Sequence, residues 1–187
     1  IDTAKKIILF PARITSWKGQ LEFIDVIKKM DTQNILVLFA GDTKNKSYTK
    51  LVRDKIEQNN LKRVCKILGS VNQDEMRSLY QIADLSLSFP LRTEGFGRTV
   101  SESLYSKTPV LAFDYGGVKN QLANLSDMFK VKPQDFQVLP AKIEKLLSLS
   151  EVEKKEALEG VQSVIESNFS KINMVKQYLK LYESFKS

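Results

Sequence analysis

The sequence predicts an α/β fold in which helices cover both faces of a parallel sheet of about six strands. Three observations predict it. Short apolar runs recur along the chain, segments with apolar residues at helical spacing separate them, and glycine or proline follows several of the runs. Strands that alternate with helices pair in parallel, because each crossover helix returns the chain to the end of the sheet where the previous strand began.

Six apolar runs have the length and composition of buried strands. The first two, at 7–10 and 35–40, are unbroken runs of aliphatic and aromatic residues, which is typical of strands covered on both faces. The remaining strands are predicted at 64–68, 85–89, 109–113 and 128–131.

Between these strands, apolar residues recur every three or four positions, as on the buried face of an amphipathic helix. We expect Thr15 or Ser16 to cap the first helix, because their hydroxyls can accept from free backbone N–H groups. Ser47 begins the second helix, and Asn72 or Gln73 begins the third. The expected buried faces comprise Leu21, Phe23, Ile24, Ile27 and Met30, then Tyr48, Leu51, Val52 and Ile56, and then Met76, Leu79, Tyr80 and Ile82.

The rest of the chain is predicted to be mostly helical. One helix runs through Ser101 and Leu104, and a short one starts at Gly116. Extra C-terminal helices are predicted at 140–147, 152–168 and 172–185. No linker, repeat or low-complexity tract interrupts the pattern, so we expect residues 1–187 to form a single domain.

The composition excludes several classes of protein. With 42% hydrophobic and 27% charged residues, the chain is typical of a globular domain rather than a disordered one. Cys65 is the only cysteine, so neither an internal disulfide nor a thiol-built zinc cage can form. Histidine is absent, which removes Ser-His and Cys-His catalytic pairs and the commonest metal ligand.

An excess of basic residues favours an anionic partner. Lys and Arg number 29 and Asp and Glu 22, which gives a formal net charge of +7. Nucleotides, phosphates, nucleic acid and acidic membrane surfaces all suit this charge. No apolar run approaches the roughly 20 residues that span a bilayer, and we expect a cytoplasmic location. We see no signal peptide. Because the chain starts with Ile1 rather than Met, we expect a fragment or a processed form.

Ligands of open parallel sheets bind beyond the carboxyl ends of the strands, so the loops there form the candidate site. We expect five loops to open on the same edge, namely 13–18, 41–42, 69–71, 94–98 and 114–117. Arg13 and Lys18 lie near a predicted helix start, where free N–H groups and the helix dipole favour anions. They can hold a diphosphate, or they can be ordinary solvated charges. Trp17 can stack on a ligand, but we expect it to have a packing role.

The loop after the fourth strand combines hydrogen-bond donors and acceptors. Gly95 and Gly97 let the backbone approach a ligand, and the helix that follows offers its first N–H groups. Glu94 lies in the loop and Glu102 on the helix, and such carboxylates can accept from two sugar hydroxyls at once. The alternatives are a capping role for Glu94 and a solvated surface charge for Glu102.

Three signatures of other nucleotide-binding proteins are absent. No G-x-G-x-x-G follows the first strand, which argues against a nicotinamide cofactor, and no G-x-x-x-x-G-K-[ST] occurs, which excludes a P-loop. No Asp-x-Asp occurs either, although nucleotides held through Mg²⁺ usually need such carboxylates. We therefore expect neither a metal nor a cofactor, with Arg13, Lys18 and helix N-termini balancing the charge of a diphosphate.

Several motifs occur in the order and spacing of a known enzyme family. Residues 11–19, PARITSWKG, contain an R-x4-K-G pattern, and residues 94–102, EGFGRTVSE, contain a Glu-x7-Glu pattern. Residues 76–84 contain M-x3-Y-x2-A-D, and residues 109–117 continue the pattern with Pro-Val-Leu-Ala and Gly-Gly. Over about residues 5–150, the chain thereby resembles the retaining glycosyltransferases of family 4, the glycosyl transferases group 1.

The resemblance implies a Rossmann-like fold and the C-terminal, donor-binding domain of a two-domain enzyme. It implies that Arg13 and Lys18 hold the diphosphate, that Glu94 contacts the transferred sugar, and that Glu102 binds the ribose hydroxyls. Arg13, Lys18 and Glu94 are thus the implied catalytic residues. Backbone groups complete the implied donor site, near the base at Gly69 and Val71 and near sugar and phosphate at Gly95, Phe96, Gly97, Arg98 and Thr99.

The implied activity is retaining, metal-independent transfer of a hexose from a nucleotide-diphosphate sugar, such as UDP- or GDP-hexose. The implied acceptor is a glycan or a lipid-linked molecule, in polysaccharide or lipopolysaccharide biosynthesis. The acceptor would bind the N-terminal domain, toward which the helix at 172–187 is expected to pack. Alone, this domain is expected to be inactive.

Two residues depart from the family pattern. Lys107 stands where glycine normally ends the helix, so we expect a positive φ there. Arg98 stands where many members carry an apolar residue, and we expect it to add a cation near the phosphates.

A basic module that binds nucleotide or nucleic acid without catalysis is the alternative function. Cations cluster in and around the second helix, namely Lys44, Lys46, Lys50, Arg53, Lys55, Lys62, Arg63 and Lys66. No aromatic platform for single strands interleaves with them. A solvated helix face is the simpler interpretation, and peripheral contact with an anionic membrane is a third.

Overall fold

Six parallel strands form one sheet in a computed structural model that describes residues 5–185. They are β1 (Lys6–Pro11), β2 (Ile35–Ala40), β3 (Cys65–Gly69), β4 (Leu85–Ser88), β5 (Val110–Phe113) and β6 (Lys130–Val131). Their order across the sheet is β3-β2-β1-β4-β5-β6. The predicted Rossmann-like α/β fold is therefore confirmed, and each predicted strand is present.

Helices connect the strands and follow the last of them. In the described part of the chain they are α1 (Gln20–Ile27), α2 (Lys46–Gln58), α3 (Gln73–Ile82), α4 (Arg98–Tyr105), α5 (Gly116–Leu122), α6 (Leu139–Ser148), α7 (Glu151–Ala157), α8 (Val161–Phe169) and α9 (Lys171–Ser184). Two short 3₁₀ helices, Asp127–Phe129 and Phe136–Val138, flank β6.

Alternate residues of the central strand enter different parts of the core. Ile8 and Phe10 of β1 join the larger hydrophobic cluster, whereas Leu9 joins a smaller one with Tyr80 of α3. The Phe10 ring lies 5.6 Å from that of Phe23 in α1. Because side chains alternate between the two faces of a strand, β1 is buried on both sides, which explains its unbroken apolar run.

The first helix starts later than predicted. Neither Thr15 nor Ser16 caps it, because α1 begins at Gln20 with Gly19 as its N-cap at a φ of 81°. A Cβ at Gly19 would lie 2.3 Å from the carbonyl oxygen of Phe89, so only glycine fits where the chain turns into the helix. Residues 13–18 thus form a loop, and Met30 lies beyond the end of α1.

Glycine also divides a helix that we predicted to be continuous. The segment 152–168 forms two helices, α7 and α8, separated at Gly160 with a φ of 72°. Two residues of predicted buried faces are exposed instead, since Leu51 is 54% and Ile82 is 45% accessible. The start of α3 agrees with the prediction, because Asn72 and Glu75 form a reciprocal capping box.

An ionic cluster ties α7 to the amino-terminal edge of the sheet. The Asp84 carboxylate accepts from the Lys6 ammonium and the Ile7 N–H, both at 2.9 Å, and lies 3.4 Å from Lys154 of α7. Burial by itself would raise the pKa of Asp84, but the Ile7 hydrogen bond and the two ammonium groups outweigh it and hold the pKa below its ordinary value.

We predict that Asp84→Asn lowers the free energy of unfolding at pH 7 by about 1–2 kcal/mol, because the amide leaves Lys154 with less counter-charge. A carboxyl whose pKa is depressed on folding stabilises the protein above its unfolded pKa of about 3.9, and that contribution is lost as pH falls. Urea unfolding should show the difference between wild type and variant shrinking below pH 4. Asp54→Asn, in an exposed pair with Lys50, is the control and should have little effect.

The second residue after α4, Lys107, adopts the left-handed conformation that the missing glycine predicted. Lys107 has a φ of 60°, and its N–H donates to the Leu104 carbonyl at 3.1 Å. A side chain is disfavoured in this region because its Cβ crowds the backbone.

We predict that Lys107→Gly raises the free energy of unfolding by about 0.5–1 kcal/mol. Glycine relieves the backbone strain, and this gain exceeds the loss that results from the greater conformational entropy of the unfolded chain. Arg53→Gly, in the interior of α2, should instead lower it by about 1 kcal/mol. Urea unfolding of both variants measures the contrast, and destabilisation by Lys107→Gly would contradict the prediction.

Candidate functional site

A cleft of about 640 Å³ opens at the carboxyl edge of the sheet. It lies between the loops that follow β1 and β4, where the order of the strands reverses and the two loops diverge. All but one of the predicted site residues line it, namely Arg13, Lys18, Val71, Glu94, Gly95, Phe96, Gly97, Arg98, Thr99 and Glu102.

Gly69 is the exception among the predicted residues. It does not line the cleft, and its carbonyl accepts from the N–H of Gly41 at 2.8 Å. Gly41 does line the cleft, and a Cβ there would lie 2.1 Å from the Ala12 carbonyl oxygen. Gly69 therefore holds Gly41, which forms part of the cleft surface, through this hydrogen bond, and does not itself line the cleft.

The fifth predicted loop lies behind the cleft and supports its wall. The Gly117 N–H donates to the Glu94 carbonyl at 3.2 Å, and a Cβ at Gly117 would lie 2.1 Å from the Gly95 carbonyl oxygen. The two glycines at 116–117 thus allow α5 to approach the loop at 94–97 closely. Four of the five predicted loops reach the cleft itself.

Two cations of the first loop lie beside the indole of Trp17. The Lys18 ammonium lies 4.3 Å from the ring centroid, and the Arg13 guanidinium lies 5.9 Å from it. These distances are typical of cation–π contacts. Hydrogen bonds to main-chain carbonyls fix the loop, since the Gln20 side-chain amide donates to the Arg13 carbonyl and the Leu91 N–H donates to the Trp17 carbonyl.

Trp17 belongs to the cleft, although the sequence analysis favoured a packing role over stacking on a ligand. It lines the cleft and contacts both basic side chains that we predicted to bind phosphate. The signal was its position within R-x4-K-G, immediately before the lysine.

An ion pair joins the two halves of the cleft. The Lys18 ammonium donates to the Glu94 carboxylate, and each side chain is only 14% exposed. The attraction between the two charges is stronger here than in an exposed pair, because less water surrounds them. Lys18 and Glu94 are therefore held together at the centre of the site, one from each loop.

The second carboxylate of the cleft is held by a tyrosine. The Tyr80 hydroxyl lies 3.1 Å from Glu102 Oε2 and 3.2 Å from the Thr99 carbonyl oxygen. Burial raises the pKa of Tyr80, and the neighbouring Glu102 charge raises it further, so the phenol keeps its proton. The sequence analysis placed Tyr80 in a buried helix face and a motif but gave it no role in the site.

Side chains of α5 and α8 support the glycine-bearing loop. The Gln121 amide donates to the Phe96 carbonyl, and its oxygen accepts from Ser101 at 2.7 Å. Gly97 has a φ of 79°, and a Cβ there would lie 2.4 Å from Val118. The Phe96 ring lies 5.7 Å from that of Phe169, so α8 also packs against the loop. Gln121 was not predicted.

The cleft contains both cations and carboxylates, which are groups that can bind phosphates and hydroxyls respectively. Arg13 and Lys18 lie on one side, and Arg98 begins α4, whose first N–H groups add positive potential. Glu94 and Glu102 supply acceptors for hydroxyl groups. Between residues 5 and 185, no three His, Cys, Asp or Glu side chains converge in a way that could hold a metal ion.

Half of the basic cluster around α2 is paired with carboxylates. Lys44, Lys50, Lys55 and Lys62 contact Asp42, Asp54, Asp25 and Glu57 respectively. Such pairing reduces the positive charge that a nucleic acid or an anionic membrane would meet. No helix in the described part of the chain is long and apolar enough to cross a bilayer.

The sequence also matches known proteins. Residues 1–159 match the family model described as Glycosyl transferases group 1. The trehalose synthase of Thermococcus litoralis is 29% identical over 194 residues, which cover 99% of this chain and 46% of that protein. This chain thus spans about half the length of that relative.

Solved structures share the fold. A glycosyltransferase from Rickettsia africae superposes with a TM-score of 0.87 at 30% identity, over 96% of this chain and 48% of that one. Anabaena Alr3699/HepE, determined in complex with UDP-glucose, gives a TM-score of 0.85 at 21% identity, over 96% of this chain and 49% of its own. Because the family model covers most of the sequence and the fold agrees, this chain belongs to the glycosyl transferases group 1 family.

Proposed function

We propose that this chain is the C-terminal, donor-binding domain of a retaining, metal-independent glycosyltransferase. It would transfer a hexose from a nucleotide-diphosphate sugar to a glycan or lipid-linked acceptor. One observation carries the proposal: Arg13, Lys18 and Arg98 line the same cleft as Glu94 and Glu102. The complex of Alr3699/HepE with UDP-glucose supports a nucleotide-sugar as the ligand. A polysaccharide pathway and a cytoplasmic location stay predictions.

The proposed chemistry needs stabilisation of a leaving diphosphate. As the bond from the anomeric carbon to the diphosphate oxygen breaks, its electron pair leaves with the diphosphate, and negative charge builds on the phosphate oxygens. Arg13, Lys18 and the N-terminus of α4 stabilise that charge more in the transition state than in the bound donor. An acceptor hydroxyl then bonds to the anomeric carbon on the same face of the sugar, and its proton passes to a phosphate oxygen of the leaving diphosphate.

Glu94 has two partners in this scheme. It pairs with Lys18 through one carboxylate oxygen and can accept from sugar hydroxyls as well. Lys18 would thus connect the transferred sugar, through Glu94, with the phosphate that departs. Trp17 limits the positions that Lys18 and Arg13 can take.

The acceptor half of the enzyme is proposed to pack on α9. None of the α9 residues is buried, and large apolar side chains project from the helix. The most exposed apolar residues of this segment are Ile172, Tyr178, Leu179, Tyr182 and Phe185. Together with the half-length match to the trehalose synthase, this surface supports an N-terminal domain as the partner of α9. The isolated chain would then bind donor but turn over little.

We predict saturable binding of UDP or GDP to this chain in EDTA, with an unchanged Kd when Mg²⁺ replaces EDTA. Isothermal titration calorimetry measures both. Arg13→Ala removes a cation from the diphosphate and should weaken binding about tenfold or more. Glu102→Ala should weaken it similarly, because it removes the acceptor for the ribose hydroxyls.

Two outcomes would contradict the proposal. Binding that requires Mg²⁺ would remove the metal-independent mechanism, and binding of neither nucleotide would remove the donor site in this domain. A steep fall in affinity for an oligonucleotide with salt, without nucleotide binding, would favour the nucleic-acid module instead. Arg53→Ala, a cation of α2 outside the cleft, is the matched control for Arg13→Ala.

We predict opposite effects of Glu94→Gln on two ligands. UDP should bind about 3- to 10-fold more tightly, because the variant removes the anion paired with Lys18 and lowers the negative charge of the cleft by one. Any preference for the nucleotide-sugar over the nucleotide should disappear, because the amide holds sugar hydroxyls less well. Calorimetry with UDP and UDP-glucose measures both. Glu57→Gln, in the exposed pair with Lys62, should change neither Kd, whereas weaker UDP binding by Glu94→Gln would contradict the prediction.

A further inference from the structure

The Tyr80 side chain is buried, and its hydroxyl ends at Glu102, which lines the cleft. Tyr80 is 2% exposed, and its hydroxyl reaches from α3 to Glu102 Oε2 of α4. The backbone is fixed as well, because the Thr108 hydroxyl donates to the Tyr80 carbonyl at 2.6 Å. A buried, anchored side chain has little freedom to follow a neighbour that moves.

The hydroxyl has one proton and two neighbouring acceptors. It can donate to only one of them at a time, either Glu102 Oε2 at 3.1 Å or the Thr99 carbonyl at 3.2 Å. An ionised carboxylate is the stronger acceptor, and hydrogen bonds to charged groups are about twice as strong as neutral ones. The proton therefore favours Glu102.

Glu102 has another charged neighbour to which it could turn. Arg98 lies four residues earlier on α4 and lines the same cleft. Residues at this spacing are neighbours on a helix surface and commonly form ion pairs. In the structure, Glu102 is hydrogen-bonded to Tyr80, and within residues 5–185 no carboxylate forms an ion pair with Arg98.

We propose that Tyr80 is a positioning residue that holds the Glu102 carboxylate toward the ribose hydroxyls and away from Arg98, so that the site selects ribonucleoside over deoxyribonucleoside diphosphates. This inference rests on the proposed donor site. Glu102 Oε2 is engaged by Tyr80, and Oε1 has no hydrogen-bond partner among the described residues, which leaves it free to accept from a ribose hydroxyl. Without the Tyr80 hydroxyl, the Glu102 carboxylate would populate two orientations, one toward the ribose and one toward Arg98.

The test compares UDP with 2′-deoxy-UDP, or GDP with 2′-deoxy-GDP, by calorimetry on wild type and Tyr80→Phe. We expect wild type to prefer the ribonucleotide about tenfold, and Tyr80→Phe to reduce this preference to about twofold. The loss should come from weaker binding of the ribonucleotide, with the Kd of the deoxynucleotide unchanged. A merely structural role would weaken both ligands equally, and that result would overturn the inference.

Two further variants keep the test independent of how well Tyr80→Phe folds. Glu102→Asp leaves Tyr80 intact but shortens the carboxylate by one methylene, and it should lose the same preference. Tyr48→Phe is the matched control, because Tyr48 is also buried and lies outside the cleft. It should leave both Kd values unchanged.

The outcomes separate the two proposals. If wild type binds neither ribonucleotide, both fail. If wild type binds ribo- and deoxyribonucleotides equally, the diphosphate site survives and the selection by Tyr80 and Glu102 fails. If wild type prefers the ribonucleotide and Tyr80→Phe keeps the full preference, only the positioning role of Tyr80 fails.

Discussion

The short contact between β1 and β4 is the constraint on which the site depends. β1 pairs with β2 along its whole length, from Lys6 to Pro11, but pairs with β4 only at Ile8 and Leu9. Beyond Leu9 the two central strands no longer share a ladder, and their loops diverge to opposite sides of the sheet. The cleft is the space that this divergence leaves, at the position where strand order reverses.

The two walls of that space have different chemistry because they come from different parts of the sequence. The loop after β1 brings cations and an indole, whereas the loop after β4 and the helix α4 bring carboxylates and free N–H groups. Polar contacts cross between the walls. The Lys18–Glu94 ion pair is one, and the hydrogen bond from the Leu91 N–H to the Trp17 carbonyl is another. Side-chain charge and main-chain geometry therefore fix the width of the cleft together.

Much of the fold could be predicted because it depends on local patterns. The apolar runs mark every strand, and the capping box at Asn72 marks the start of α3. The late start of α1 could not be predicted, because Gly19 is required by the Phe89 carbonyl, which is distant in sequence. Gly160 was a local signal for a helix break, but the apolar spacing on either side of it suggested a continuous helix.

The site was predicted less completely than the fold, for a physical reason. Residue type and motif spacing predicted that residues such as Arg13 and Glu102 line the cleft. Tyr80 and Gln121 contribute through hydrogen bonds that form only in the folded chain. Gly69 shows the reverse case. Its place at a strand end suggested a ligand contact, whereas in the structure its carbonyl accepts from Gly41, which lines the cleft, and Gly69 does not line it.

The position of Trp17 has an optical consequence. It is the only tryptophan in the chain, and its ring lies beside the ammonium of Lys18 and the guanidinium of Arg13. Indole emission is sensitive to nearby charge. Tryptophan emission therefore comes from the wall of the cleft, and the protein carries its own fluorescent reporter of any anion that draws those two cations away.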